Sequence, residues 1–252
     1  MEEQTDMITL CCPSRGRPTL AKRMYDKAMK FASKKDHVEV YLYLNEDDPT
    51  RAEYLNLFRK CKHVRIDMGP HQSTSFSWNQ LATNAKHDLV CLIGDDVQIE
   101  TPAWEKQIYD MFNRYNDKIL MVVPNTDRLR GYTQKQLKSL KNNYWPSPKE
   151  TLPSPHFVVH KNWIKALGYM CPYQFWHFYV DSYTQKVARQ VGRCVFVRDI
   201  KFRVKKMEDD TATQVRTHMN IRNRDDWAWK SCQRHLQSDV ATLKNFIDNF
   251  KL

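Results

Sequence analysis

Through its first 124 residues the chain repeats one unit: a short apolar run, a polar break, then an amphipathic stretch. The apolar runs are Met7–Pro13 (MITLCCP), Val38–Asn45 (VEVYLYLN), His63–Met68 (HVRIDM), Asp88–Gly94 (DLVCLIG) and Lys118–Pro124 (KILMVVP). Between the first two, Leu20, Met24, Ala28 and Phe31 recur at helical spacing and mark one apolar face. Pro49 and Pro102 open two of the later helical stretches, where a missing backbone N–H is tolerated. Strands this apolar must be covered on both faces, and helical connections of this length join parallel neighbours. The pattern predicts an α/β fold with a mostly parallel central sheet flanked by helices. In such sheets ligands gather at the carboxyl ends of the strands, where groups far apart in sequence converge.

Three of those ends carry polar clusters. The first strand runs into Ser14, Arg15 and Arg17, the second into Asn45, Glu46, Asp47 and Asp48, and the fourth into Asp95 and Asp96. Adjacent carboxylates repel unless something positive stands beside them. A divalent cation would settle that repulsion, and arginines beside a cation suit the oxygens of a nucleoside diphosphate. A strand-end turn for the aspartates and a solvated turn for the arginines are the plainer alternatives.

Other nucleotide and hydrolase chemistries lose their footing. The chain has only six glycines, with no G-x-G-x-x-G, Walker loop or G-x-S-x-G elbow. Its nine histidines form no H-E-x-x-H. The seven cysteines are odd in number and form no C-x-x-C, so they read as reduced, buried thiols rather than a disulfide framework or zinc ribbon. No apolar run approaches the ~20 residues needed to span a bilayer. The opening MEEQTDM lacks the basic start and apolar stretch of a signal peptide, which points to the cytoplasm.

After Pro124 the rhythm breaks. Residues 125–156 show little periodicity, and a stretch of that length inside a compact domain reads as a functional loop or lid. His156–His160 then reads as a strand, Asn162–Gly168 and Tyr179–Gly192 as helices closed by glycine, and Cys194–Val204 as a late strand or strand pair. Asp225–Phe250 reads as one long helix.

In this order the segments ITLCCPSRGRP, LNEDD, SFSWNQLATNAKHDLVCLIGDDV and FYVDSYTQKVARQVGR resemble the GT-A glycosyltransferases, and among them the family-2-like enzymes. The similarity extends over about residues 7–200. It implies a GT-A domain over 1–205, divided into a nucleotide-sugar-binding part (1–124) and an acceptor-side part (125–205), followed by a helical C-terminal extension over 206–252. It also implies a Mn2+- or Mg2+-dependent, inverting transfer from a nucleoside-diphosphate sugar, a UDP-sugar being favoured. By the same resemblance Asp96 would hold the metal, and Asp95 would share it or contact the donor. Pro13, Ser14, Arg15, Arg17, Asn45, Asp47 and Asn79 would line the nucleotide sugar. Asp181 would be the general base, with a helix N-cap as its structural alternative. The family's usual D-x-D is here an adjacent pair. A late histidine often completes the metal site in the family; His218 is the candidate, in a poorly matching context.

The acceptor is read from charge. Residues 1–100 carry 14 Lys and Arg against 15 Asp and Glu, while the remainder carries 26 against 14. Aromatic residues interleave with that basic part, as in RNRDDWAWKSCQR and LKNNYWPSPK, a composition suited to a phosphate backbone and a stacked or flipped base. Some members of the resembling family glycosylate hydroxymethylated bases of bacteriophage DNA. Hydroxymethylated pyrimidine in DNA is therefore the favoured acceptor, with Trp145, His177 and Trp229 as contacts and host cytoplasm as the setting. The alternatives are a cytosolic enzyme of surface or capsule polysaccharide, and a non-catalytic nucleic-acid-binding protein on a degenerate transferase fold.

Overall fold

The computed structural model describes residues 8–126, 155–204 and 219–250. Eight strands are present among them: β1 (Ile8–Ser14), β2 (Val38–Asn45), β3 (Val64–Gly69), β4 (Leu89–Leu92), β5 (Val97–Ile99), β6 (Met121–Asn125), β7 (Phe157–His160) and β8 (Cys194–Val204). They form one sheet in the order β3-β2-β1-β4-β7-β6-β8-β5. β1 pairs in parallel with both β2 and β4, and β2 with β3, as the alternating pattern requires. β7 inserts antiparallel between β4 and β6, and β8 runs parallel to β6.

The strands alternate with period two between two apolar layers. Cys11, Tyr41, Val90, Met121 and Val159 face one layer; Leu10, Val40, Cys91, Val122 and Val158 face the other. The second layer is closed by α1 (Pro18–Phe31), α2 (Arg51–Phe58) and α4 (Trp104–Phe112). The first is closed by α3 (Thr74–Asn84), α5 (Lys161–Leu167), α6 (Val180–Gln190), α7 (Met219–Cys232) and α8 (Leu236–Asp248). Pro13 is accommodated in β1 because the β1–β4 ladder has already ended at Cys11 and Leu92. All seven cysteines are free, and six are buried. No helix among the described residues is long and apolar enough to cross a membrane.

Two expectations change. The short β5, directly after the Asp95–Asp96 pair, is too brief for a periodicity signal and forms by pairing with the distal part of β8. The C-terminal segment is two helices rather than one and begins at Met219, not Asp225. Residues 233–235 close α7 with i→i+3 bonds from Arg234 to Ser231 and from His235 to Cys232. The break lets Ala228 and Cys232 of α7 and Leu236, Val240 and Leu243 of α8 reach the same apolar layer.

Candidate active site

The chain leaves β1 toward β2 and β3 on one side, then returns to place β4 on the other. The carboxyl ends of β1 and β4 therefore flank a topological switch point, the crevice where open α/β sheets bind ligands. Ser14, Arg15 and Arg17 follow one strand, and Gly94, Asp95 and Asp96 follow the other.

A buried hydrogen-bond chain locks these two ends together. Ser14 Oγ donates to Asp95 Oδ2 at 2.6 Å and lies 2.7 Å from the Tyr54 hydroxyl. The single serine proton goes to the carboxylate, so the tyrosine donates to serine. The Arg17 backbone N–H in turn donates to Tyr54 at 2.9 Å. Arg17 also reaches Asp95 Oδ1 through its guanidinium at 3.3 Å. Both oxygens of Asp95 are thus engaged in holding the site together. Burial pushes the Asp95 carboxyl up to about 6, against the pull of Arg17 and Ser14 and with a further push from Asp96.

Asp96 stands in a different setting. It is half-buried, and a Cβ at Gly94 would lie 2.9 Å from its Oδ1. Glycine at position 94 leaves that carboxylate its room. The same Cβ would lie 3.6 Å from Cε1 of His156, a buried histidine just before β7. His156 is not singled out by the sequence, where it is only the first residue of an apolar run; the fold brings it beside Gly94. Among the described residues no group of three His, Cys, Asp or Glu converges as a protein-only metal site.

The end of β2 builds the adjoining wall. Arg15 grips Asp47 with both guanidinium nitrogens, one of them at 3.2 Å, and this hydrogen bonding holds the Asp47 carboxyl below its usual range. Asp48 is buried, accepting from the Gly16 N–H at 2.9 Å and from Thr50. Asn45 is also buried, and with Tyr43 it donates to the Pro70 carbonyl. Those bonds fix the start of the β3–α3 loop, which carries His71 to within electrostatic reach of Asp47.

Asn79 braces the segment that follows α5. It is buried, its Nδ2 donates to the Cys171 carbonyl at 2.6 Å, and its Oδ1 accepts from Met170 and Cys171 N–H. Ser75 adds a bond to the Phe175 carbonyl, and the Thr74 N–H one to that of Trp176. The segment so held brings His177 within electrostatic reach of Arg17. His177 is exposed, and desolvation by the neighbouring protein lowers its imidazole pKa, against the pull of Asp225 and with Arg17 adding to the effect. Thr74 Oγ1 meets its Nδ1 at 3.3 Å, and Trp176 packs edge-on to His71.

Asp181 lies in the first turn of α6 and is half-buried. It is not the N-cap: that position is Tyr179, in the left-handed region with φ 66°. Trp229, expected as an acceptor contact, is half-buried. Its ring packs at 5.1 Å from Tyr179 and 6.5 Å from Phe175, at the margin of the core. The exposed tryptophan of that helix is Trp227. Trp145 and His218 lie outside the described residues.

No family model matches the sequence, and no curated protein does either. Solved structures do match the architecture. The mannosyltransferase PcManGT from Pyrobaculum calidifontis, in complex with GDP-Man and Mn2+, aligns with TM-score 0.64 and 11% identity over 98% of this chain and 76% of that one. S. aureus TarS 1–349 in complex with UDP-GlcNAc aligns with TM-score 0.62 and 12% identity over 82% of this chain. The chain has the GT-A fold. It spans 60% of the length of the TarS 1–349 chain in that alignment.

Proposed function

We propose that this GT-A chain is a glycosyltransferase that moves a sugar from a nucleoside-diphosphate sugar to a hydroxyl acceptor, with Mn2+ or Mg2+ held at Asp96. The observation that carries the reading is the carboxylate pair at the switch point, with one member spent on structure and the other given room. Asp95 anchors Ser14 and Arg17, whereas Asp96 stands over Gly94. The neighbouring structures hold GDP-Man with Mn2+ and UDP-GlcNAc, which supports a nucleotide sugar and a divalent ion here.

When bound, such an ion supplies Lewis-acid stabilisation of the charge growing on the leaving diphosphate. The chain's own residues do the rest. The wall of Arg15, Asp47 and the loop pinned by Asn45 would receive base and ribose, and Arg17 would face the phosphates. Asp181 would take the proton from the acceptor hydroxyl as it attacks the anomeric carbon. Attack by the acceptor hydroxyl itself is a single displacement and inverts that centre.

For the acceptor we favour hydroxymethylated pyrimidine in DNA, supported by the basic balance after residue 100. Binding to DNA should then weaken with salt, each neutralised phosphate adding about −0.9 to the slope of log K against log salt. The deciding experiment offers labelled UDP- and GDP-sugars with Mn2+ to hydroxymethylated duplex, unmodified duplex and free oligosaccharide. Sugar on the first duplex alone supports the DNA reading. Transfer to oligosaccharide with neither duplex labelled removes it and leaves a glycan-directed enzyme. No turnover of any donor, with or without metal, removes the transferase reading altogether.

A further inference from the structure

Asp225 is wholly buried in the middle of α7, a surprising place for a carboxylate. Its partners are three successive backbone N–H groups of the acceptor-side segment. Oδ1 accepts from Trp176 at 2.6 Å, and Oδ2 accepts from His177 at 2.9 Å and from Phe178 at 2.6 Å. Burying a charge is tolerated when such charge-assisted bonds replace its water.

The same helix grips the segment's rings. The Arg224 guanidinium lies 4.9 Å from the Trp176 ring centroid, and that of Arg222 lies 4.8 Å from Phe178 and 4.9 Å from Tyr179. Arg222 also donates to the Tyr179 hydroxyl at 2.6 Å. Tyr179 is the left-handed residue that turns the chain into α6, one residue before Val180 and two before Asp181. A non-glycine residue in that conformation is held there by its surroundings.

We infer that α7 is a clasp for the acceptor side, in which Asp225 is the positioning residue that sets the path of residues 176–178 and so the placing of His177 and Asp181. This rests on the glycosyltransferase reading for its consequence, but the clasp itself does not. Asp225 touches neither donor nor acceptor; it acts through the backbone it holds.

The test uses the full chain with Asp225→Asn, which keeps the shape but turns one acceptor oxygen into a donor facing N–H groups. Amide exchange over 176–182 should accelerate about tenfold or more, while exchange in β1, β2 and β4 stays as in the wild type. UDP binding in the presence of Mn2+ should remain within about twofold, since its residues lie on the other wall. Turnover should fall about 10²-fold, as expected when a base is misplaced by about an ångström, with a raised acceptor KM. Asp225→Glu, which restores the charge, should recover part of the protection and part of the rate. Unchanged exchange over 176–182, or acceleration spread evenly through the sheet, overturns the clasp. Should the asparagine variant fail to fold, the wild type decides: amides 176–178 as protected as those of α7 support the clasp, and exchange at exposed-loop rates refutes it. A wild type that turns over no donor removes the enzymatic reading, and the exchange results still decide the clasp.

Discussion

At the carboxyl ends of β1 and β4, Ser14, Tyr54, Arg17 and Asp95 tie together neighbouring parallel strands. Residues 170–178, by contrast, take part in no strand pairing and are held largely by side chains from helices, Asn79 and Ser75 of α3 and Asp225 of α7. In the first region the sheet register brings the partners together, and the hydrogen bonds only refine it. In the second, long-range side-chain bonds supply the geometry themselves. A loss in the first region should therefore cost stability or chemistry according to which carboxylate is touched. A loss in the second should change shape first.

Four substitutions separate these cases. Asp96→Ala should abolish transfer, because several kcal/mol of charge stabilisation leave with the metal, while the melting temperature moves little. Full turnover in excess chelator would refute the metal assignment. Asp181→Asn comes next: general-base loss should lower the rate by about 10²–10⁴ with nucleotide binding kept. A wild-type rate would leave Asp181 with only a role at the start of α6.

Asp95→Ala should behave unlike its neighbour. It leaves Ser14 and the half-buried Arg17 without their carboxylate, so unfolding free energy should drop by about 3 kcal/mol in denaturant titration. Equal stability in the Asp95 and Asp96 variants would erase the division of labour between them. The smallest effect is expected at Asn79→Ala, about 2 kcal/mol, from buried backbone groups of Met170 and Cys171 left unsatisfied. Nucleotide affinity should survive that change, since Asn79 braces the acceptor segment. A variant that loses UDP binding while staying folded would return Asn79 to the donor pocket.

What the chain determined by itself was the regular part. Short apolar runs separated by amphipathic stretches set β1 to β4 and β6 and their helices, because strand and helix periodicities are local. Polar residues at the ends of those runs had to meet at one sheet edge, so the clustering of Ser14, Arg15, Arg17, Asn45, Asp47, Asp95 and Asp96 was legible. The tertiary structure decided the rest. Nothing local tells Asp95 from Asp96; the difference arises from Ser14 at the end of β1 and Arg17 at the start of α1. β7 had to be antiparallel between β4 and β6 before His156 could come near Asp96. Trp229 and Trp227 look alike in sequence, yet α7 turns one into the aromatic margin of the core and the other to solvent. Asp225 read as the first residue of a helix, where an acid is ordinary. Its role became visible only when α7 began at Met219 and packed against residues nearly fifty positions earlier, because a buried charge is set by the partners that the fold brings to it.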